Sequence, residues 1–223
     1  MKICFCSTFL GQLTSGAEMS THLVAQSLAQ EHDIFAITTS VSKPLPYRHY
    51  SLHLGLIPNI VLMISTPLTD WYIYRRLLTL FRQEQPDIVH IHDFSMMTPA
   101  LRAAKTCGIP TVMTVRDYRF HCNLVIDLEN NKLEFDYTAS TYYRWLSKTV
   151  NPLLAPFVFP LFYAANKKNR NMIKHCDHLV TVSDFVGETV KKSGISVPSS
   201  TIYVPQPDWS ATKKRIKKRL FCA

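Results

Sequence analysis

The chain has 223 residues, of which 47% are hydrophobic and 18% are charged. This composition is typical of a globular protein and excludes an intrinsically disordered chain, and no apolar run approaches the roughly 20 residues of a membrane-spanning helix. The net charge is +9, but six basic residues lie within 213–219, which leaves a net charge of +3 elsewhere. The sequence therefore does not indicate a nucleic-acid-binding surface across the domain.

The six cysteines lack the paired spacing of a zinc site. Together with the absence of an export signal, this favours reduced thiols in a cytoplasmic protein.

Strands are predicted to alternate with helices along the whole chain, without an internal repeat. A Pro-rich segment, 41–59, is expected to be irregular, Gly108 to end a helix and Ser183 to begin one. This order predicts an α/β protein with a single Rossmann-like parallel sheet and helices on both faces, in which ligands bind beyond the carboxyl ends of the strands. The predicted strands are 3–8, 33–39, 88–91, 111–115, 178–182 and 200–204, and the predicted helices are 17–30, 71–83, 98–107 and 184–192.

The loop after the first predicted strand contains Gly11, Ser15 and Gly16 and leads directly into a helix. Glycine allows the backbone to approach a ligand closely, and a helix N-terminus attracts anions. The loop lacks the Lys-Ser/Thr pair of a phosphate loop and the full G-x-G-x-x-G spacing. A tight strand-to-helix turn without a ligand is an equally good interpretation.

The strand 88–91 leads into His92 and Asp93, and His90 and His92 share one of its faces. A metal site of His90, His92 and Asp93, as in a metal-dependent hydrolase, is one hypothesis, although no further cluster has ligand spacing. A second is an imidazole that hydrogen-bonds a hydroxyl-rich ligand at the edge of the sheet. The third is a packed histidine pair without a ligand.

Two charged residues, Arg116 and Asp117, follow the strand 111–115. They are expected at the ligand-binding edge, where Arg can pair with a phosphate and Asp can accept hydrogen bonds from sugar hydroxyls. The alternative is a surface ion pair of little consequence.

The segment 149–165 is very apolar, contains three prolines and is flanked by basic residues on both sides. The prolines argue against a regular spanning helix. Apolar bulk beside cations predicts peripheral contact with an anionic membrane through residues 144–174. Packing of the segment on its own domain is an equally good alternative.

Four stretches in order resemble the N-terminal domain of the family 4 glycosyltransferases, a large retaining group with the GT-B fold. The similarity covers about residues 1–208. It is carried by F-L-G-Q-L-T-S-G-A-E at 9–18, P-D-I-V-H-I-H-D-F at 86–94, G-I-P-T-V-M-T-V-R-D-Y at 108–118 and C-D-H-L-V-T-V-S-D-F-V at 176–186.

This resemblance implies a cleft between two lobes that holds the donor and the acceptor, with no metal and no cofactor. Two residues depart from the family pattern, because Ser15 stands where a Gly is usual and Arg116 stands where most members have His. Since an arginine cannot accept a proton near neutral pH, Arg116 is expected to contact an anion or a hydroxyl rather than act as a base. The cleft residues implied are Ser15, Gly16, His92, Asp93, Arg116, Asp117, Tyr118 and Ser183.

The resemblance also implies a function and a domain organisation. We expect an acceptor-side domain at 1–208, followed at 209–223 by a basic linker and the truncated first strand of a missing C-terminal domain. The whole enzyme would be a hexosyltransferase of polysaccharide biosynthesis, moving a hexose from a UDP- or GDP-linked donor to a polysaccharide or lipid-linked acceptor. It would be cytoplasmic or peripheral on the inner face of the membrane. The chain alone is expected to be inactive. The alternatives are a non-catalytic binding module and one subunit of a split glycosyltransferase completed by a separate C-terminal domain.

Overall fold

A computed structural model describes residues 1–10, 16–41, 44–52, 67–116, 126–127, 132–133 and 138–203. Strands and helices alternate through most of this part of the chain. The strands are β1 (Lys2–Cys6), β2 (Phe9–Leu10), β3 (Asp33–Thr38), β4 (Ser40–Val41), β5 (Arg48–Ser51), β6 (Ile88–Ile91), β7 (Thr111–Val115), β8 (Ile126–Asp127), β9 (Lys132–Leu133), β10 (His178–Thr181) and β11 (Ser199–Thr201). The helices are α1 (Gly16–Leu28), α2 (Pro67–Glu84), α3 (Phe94–Cys107), α4 (Ala139–Thr149), α5 (Ala155–Met172) and α6 (Asp184–Lys192), with a 3₁₀ turn at Ile173–His175.

Seven strands form one sheet in the order β11-β10-β7-β6-β1-β3-β5, and every neighbouring pair is parallel. The chain moves outward from β1 through β3 to β5, then returns to the other side of β1 with β6 and continues outward to β11. The order therefore reverses between β1 and β6, and the loops that leave these two strands diverge. In open α/β sheets this reversal point is where ligands bind.

The strands bury both faces because alternate side chains point to opposite sides. Cys4, Cys6, Phe35 and Ile37 face the larger core, which is filled from α2, α3 and α6. The other faces of β1 and β3 pack with Ala25 of α1 in a smaller cluster. This confirms the predicted single Rossmann-like parallel sheet with helices on both faces.

Two helix ends follow the chemistry that the sequence predicted. Gly108 ends α3 with a φ of 68°, in the left-handed region where glycine carries no steric penalty. Ser183 caps α6, and its hydroxyl accepts a hydrogen bond from the Val186 amide. Gly194, just after α6, also has a positive φ of 74°.

Several predicted boundaries were wrong. The strand predicted at 3–8 ends at Cys6, and the helix predicted at 98–107 begins at Phe94, because Asp93 caps it and Pro99 is accommodated inside the helix. The segment predicted as irregular at 41–59 includes the edge strand β5. The predicted helix at 71–83 extends over 67–84.

Residues 155–165 of the Pro-rich apolar segment form the first part of the long helix α5, and residues 150–154 connect it to α4. Pro156 lies in the first turn of α5, where a missing amide hydrogen costs little, and Pro160 is accommodated further along the helix. Within the described ranges, the structure contains no helix with the length and apolar character needed to cross a bilayer.

Candidate functional site

A cleft opens at the carboxyl edge of the sheet, at the point where the strand order reverses. Its wall is built from the turn after β1, the first turns of α1, and the junction of β6 with α3. The lining residues are Ser7, Thr8, Phe9, Ala17, Glu18, Thr21, His92, Asp93, Phe94 and Ser95.

Asp93 ties the two halves of this cleft together. Its Oδ1 accepts hydrogen bonds from the Met96 amide at 2.9 Å and from the Thr8 hydroxyl at 2.8 Å. Its Oδ2 accepts from the Thr8 amide. The first of these bonds caps α3, and the other two attach the turn after β1 to the start of that helix. Asp93 therefore positions the cleft wall.

His90 of β6 is half-buried and His92, just after the strand, is buried, and both rings lie beneath the cleft against Phe5 of β1. The His92 ring lies 4.0 Å from the His90 ring and 4.8 Å from the Phe5 ring, measured between centroids. Burial, with Arg116 adding to it, lowers the pKa of His90 to about 3. Burial, His90 and Arg116 likewise hold the pKa of His92 well below its usual range. Both rings are neutral at physiological pH, so neither supplies an imidazolium.

Arg116, at the end of β7, reaches back across the end of β6 to α1. Its Nη1 donates to the His92 carbonyl oxygen at 2.7 Å, and its Nη2 donates to the Thr21 hydroxyl at 2.8 Å. Its Nε donates to the Ser20 hydroxyl at 3.3 Å. The guanidinium thus links two strands and a helix behind the cleft.

The same guanidinium determines the tautomer of His92. Nη2 of Arg116 lies 3.0 Å from His92 Nδ1, and because arginine only donates, Nδ1 accepts. A neutral ring then carries its proton on Nε2. That Nε2 is buried and has no hydrogen-bond partner in the described structure. A buried donor without a partner is costly, which makes His92 Nε2 the unused polar atom of the site.

The structure places the sequence-predicted site residues at different distances from the cleft. His92 and Asp93 line the cleft, and Arg116 lies behind it. Gly16 begins α1 next to the lining, and a Cβ built on it meets no atom of the described residues within 4 Å. Ser183 is at the same sheet edge but two strands away from β6. The predicted residues that lie outside the described part of the chain are Ser15, Asp117 and Tyr118.

Sequence analysis missed three hydroxyl-bearing residues that the structure brings to the site. Thr8 was assigned to the first strand, whereas it binds Asp93 in the turn beyond β1. Ser20 and Thr21 were passed over as interior positions of α1, yet both receive bonds from Arg116. Small hydroxyl residues one after another on a helix near a predicted ligand edge are the signal that identifies them.

The metal hypothesis finds no support. Among the residues that the structure describes, no cluster of three or more His, Cys, Asp and Glu side chains is arranged to hold a metal ion. His90 instead bonds the Thr114 hydroxyl at 2.8 Å through its Nε2, and Asp93 is occupied by Thr8 and the α3 cap.

Comparison with known families matches residues 14–204 to the model described as Glycosyltransferase Family 4. This match covers most of the chain. The protein belongs to glycosyltransferase family 4. A search among curated protein sequences found no match.

Solved structures share the fold of this family 4 chain. The structure of Anabaena Alr3699/HepE in complex with UDP and glucose aligns with a TM-score of 0.58 at 10% identity, covering 99% of this chain and 50% of that one. Os79 from O. sativa, in complex with UDP, aligns with a TM-score of 0.59 at 11% identity, covering 98% and 57%. Phytolacca americana UGT2, complexed with UDP-2fluoro-glucose and pterostilbene, gives a TM-score of 0.57 at 14% identity, covering 95% and 56%.

At these identities the likeness concerns the fold alone. The family 4 chain has the Rossmann-like N-terminal half of the GT-B fold, as the sequence predicted. It spans about half the length of the solved structures that it matches.

Proposed function

We propose that this chain is the acceptor-side lobe of a retaining glycosyltransferase that moves a hexose from a UDP- or GDP-linked donor to a polysaccharide or lipid-linked acceptor. The observation that carries the proposal is the cleft at the reversal point of the sheet, in a chain that belongs to family 4. Because the chain spans about half of the related folds, a second lobe is proposed to hold most of the donor. That lobe belongs either to the same polypeptide or to a separate subunit.

The chemistry of the cleft suits a sugar better than a phosphate. Glu18 in the first turn of α1 contributes carboxylate oxygens, which accept hydrogen bonds from hydroxyls and repel a nearby phosphate. Phe94 contributes an aromatic side chain, and Ser95 a hydroxyl. We therefore assign this surface to the acceptor sugar and leave the donor diphosphate to the second lobe.

The roles of the basic and imidazole groups follow from their contacts. Arg116 is a positioning residue, since its guanidinium bonds hold His92 and α1 in place. Nδ1 of His92 already accepts from Arg116 and Nε2 carries the ring proton, so in this proposal His92 donates a hydrogen bond from Nε2 and does not act as a base. Stabilisation of the leaving diphosphate is left to donors of the second lobe.

Blocking the cleft tests the proposal. Ala17 is exposed on the rim, so Ala17→Trp fills the opening without disturbing the core. Ala29 is exposed just beyond the far end of α1, and Ala29→Trp serves as the matched control. Glucose and mannose oligosaccharides are titrated into the purified chain by calorimetry. We expect weak binding that Ala17→Trp abolishes and Ala29→Trp preserves.

Two outcomes contradict the proposal. One is equal binding of the oligosaccharides by both tryptophan variants. The other is turnover of UDP-glucose or GDP-mannose by the chain alone at a typical enzyme rate, about 1 s⁻¹ or faster, because one lobe is not expected to assemble the full site.

A further inference from the structure

Helices α4 and α5 form a hairpin joined by aromatic side chains. The Tyr142 ring lies 5.7 Å from the Tyr163 ring, and the Tyr143 ring lies 5.4 Å from the Phe159 ring. Phe159 and Tyr163 stack on each other at 5.4 Å. These contacts hold the two helices side by side, and the turn between them forms the tip of the hairpin.

The tip projects beyond the carboxyl edge of the sheet, where the cleft opens. Glu84, the last residue of α2, binds Lys2 at the amino edge, so α2 begins at the opposite edge. Asp70, in the first turn of α2, is buried and binds Lys168 of α5 at 2.7 Å. The chain leaves α5 to enter β10 at the amino edge, so α5 runs from the carboxyl towards the amino edge. Phe157 precedes Lys168 by a helical rise of about 16 Å and therefore lies beyond the carboxyl edge.

A stripe of large apolar side chains is exposed on this tip. Leu153 is 80% exposed and Phe157 is 81% exposed, while Leu154 and Leu161 are each exposed by half or more. Leu154, Phe157 and Leu161 follow the spacing of one helix face. Contiguous exposed apolar residues of this size mark an interaction surface.

The charge around the stripe has one sign. Residues 138–175 contain six lysines and arginines and no aspartate or glutamate. Lys148 is exposed just before the tip, and Lys167 is exposed on the same helix as the stripe, about 9 Å beyond Leu161 by the helical rise. Apolar side chains flanked by cations complement a bilayer that contains anionic lipids.

We propose that the tip of the α4–α5 hairpin docks on an anionic lipid bilayer, inserting Leu153, Leu154, Phe157 and Leu161 among the acyl chains and placing Lys148 and Lys167 at the headgroups. The cleft opens at the same edge of the sheet, so docking brings it to the membrane surface. The acceptor is therefore lipid-linked, a conclusion that rests on the proposed function.

Vesicle flotation tests the docking surface without any sugar ligand. The purified chain is mixed with vesicles of phosphatidylglycerol and phosphatidylcholine in equal parts, or of phosphatidylcholine alone. We expect binding to the mixed vesicles that weakens as salt rises. Phe157→Glu reduces the partition coefficient by about tenfold or more, because an inserted aromatic ring is lost. Ala29→Glu, which introduces the same charge at an exposed position just beyond the far end of α1, leaves it unchanged.

A second pair of variants separates charge from apolar contact. Lys148→Glu weakens binding to the mixed vesicles and reduces its salt dependence, whereas Lys191→Glu, at an exposed position on α6, does neither. Circular dichroism establishes that the variants are folded. The vesicle results do not depend on the sugar-transfer proposal, so a failure of docking can be distinguished from a failure of sugar transfer.

Three results overturn the docking proposal. The first is no binding to the mixed vesicles, and the second is equal loss in Phe157→Glu and Ala29→Glu. The third is self-association of the chain that Phe157→Glu abolishes, which assigns the stripe to a second copy of the protein.

Discussion

Replacement of Asp93 by alanine is predicted to destabilise the protein strongly, because one carboxylate holds both walls of the cleft. The change removes the cap of α3, worth about 1 kcal/mol. It also removes the charged acceptor for the Thr8 amide and hydroxyl, and hydrogen bonds to a charged group contribute about 1.5–3 kcal/mol. Counting the two Thr8 bonds to this one carboxylate as a single contribution, we expect Asp93→Ala to lower the free energy of unfolding by about 2.5–4 kcal/mol.

Urea unfolding, followed by circular dichroism, measures this loss. The matched control is Ser183→Ala, which removes a cap on α6 with a single hydrogen bond of 3.3 Å and is expected to cost about 1 kcal/mol. For a domain of this size, Asp93→Ala lowers Tm by roughly 5–15 °C. If the two variants lose the same free energy, the bonds from Asp93 to Thr8 contribute nothing and the reasoning is refuted.

Two further predictions concern pH. Hydrogen bonds from Lys2 and Tyr50 lower the pKa of Glu84 from 4.5 to about 2, so its stabilisation is complete above pH 4.5 and is lost as pH falls towards 2. Glu84→Gln should cost about 1–2 kcal/mol near pH 6, allowing for solvent screening, and less near pH 3, as measured by urea unfolding at both pH values. The pKa of His90 is lowered from 6.5 to about 3, so the unfolded chain takes up a proton below pH 6.5 that the folded chain does not. As pH falls from 6.5 to 4.5, this group should therefore lower the free energy of unfolding by up to about 1.4 kcal/mol per pH unit. His90→Gln should make that pH dependence shallower, and an unchanged slope would contradict the burial argument.

The fold was predictable where local signals agreed with each other. The continuous apolar strands, Gly108 after α3 and Ser183 before α6 each fixed an element, and their order alone implies the parallel sheet. Edge strand β5 has the sequence Arg-His-Tyr-Ser, and only its contact with β3 makes it a strand. Tertiary pairing of this kind cannot be found from the pattern of a single segment.

The site was only partly predictable, for a related reason. The sequence placed His92, Asp93 and Arg116 at one edge of the sheet, which the strand order alone explains. It did not show that Asp93 binds Thr8, or that Arg116 turns back to α1, because partners distant in sequence are chosen by side-chain geometry. The start of α3 was also predicted wrongly, because Asp93 was interpreted as a ligand contact and not as a helix cap.

The central claim is that a sugar ligand occupies the cleft at the reversal point of the sheet. Amide chemical shifts of the isotope-labelled chain, recorded during titration with mannose and glucose oligosaccharides, UDP-glucose and GDP-mannose, test it most directly. The account predicts that shifts on adding the oligosaccharides concentrate at Thr8, Ala17 and Ser95, which surround the opening. Shifts concentrated instead at the opposite edge of the sheet, in the crevice lined by Lys105 and His175, would contradict it.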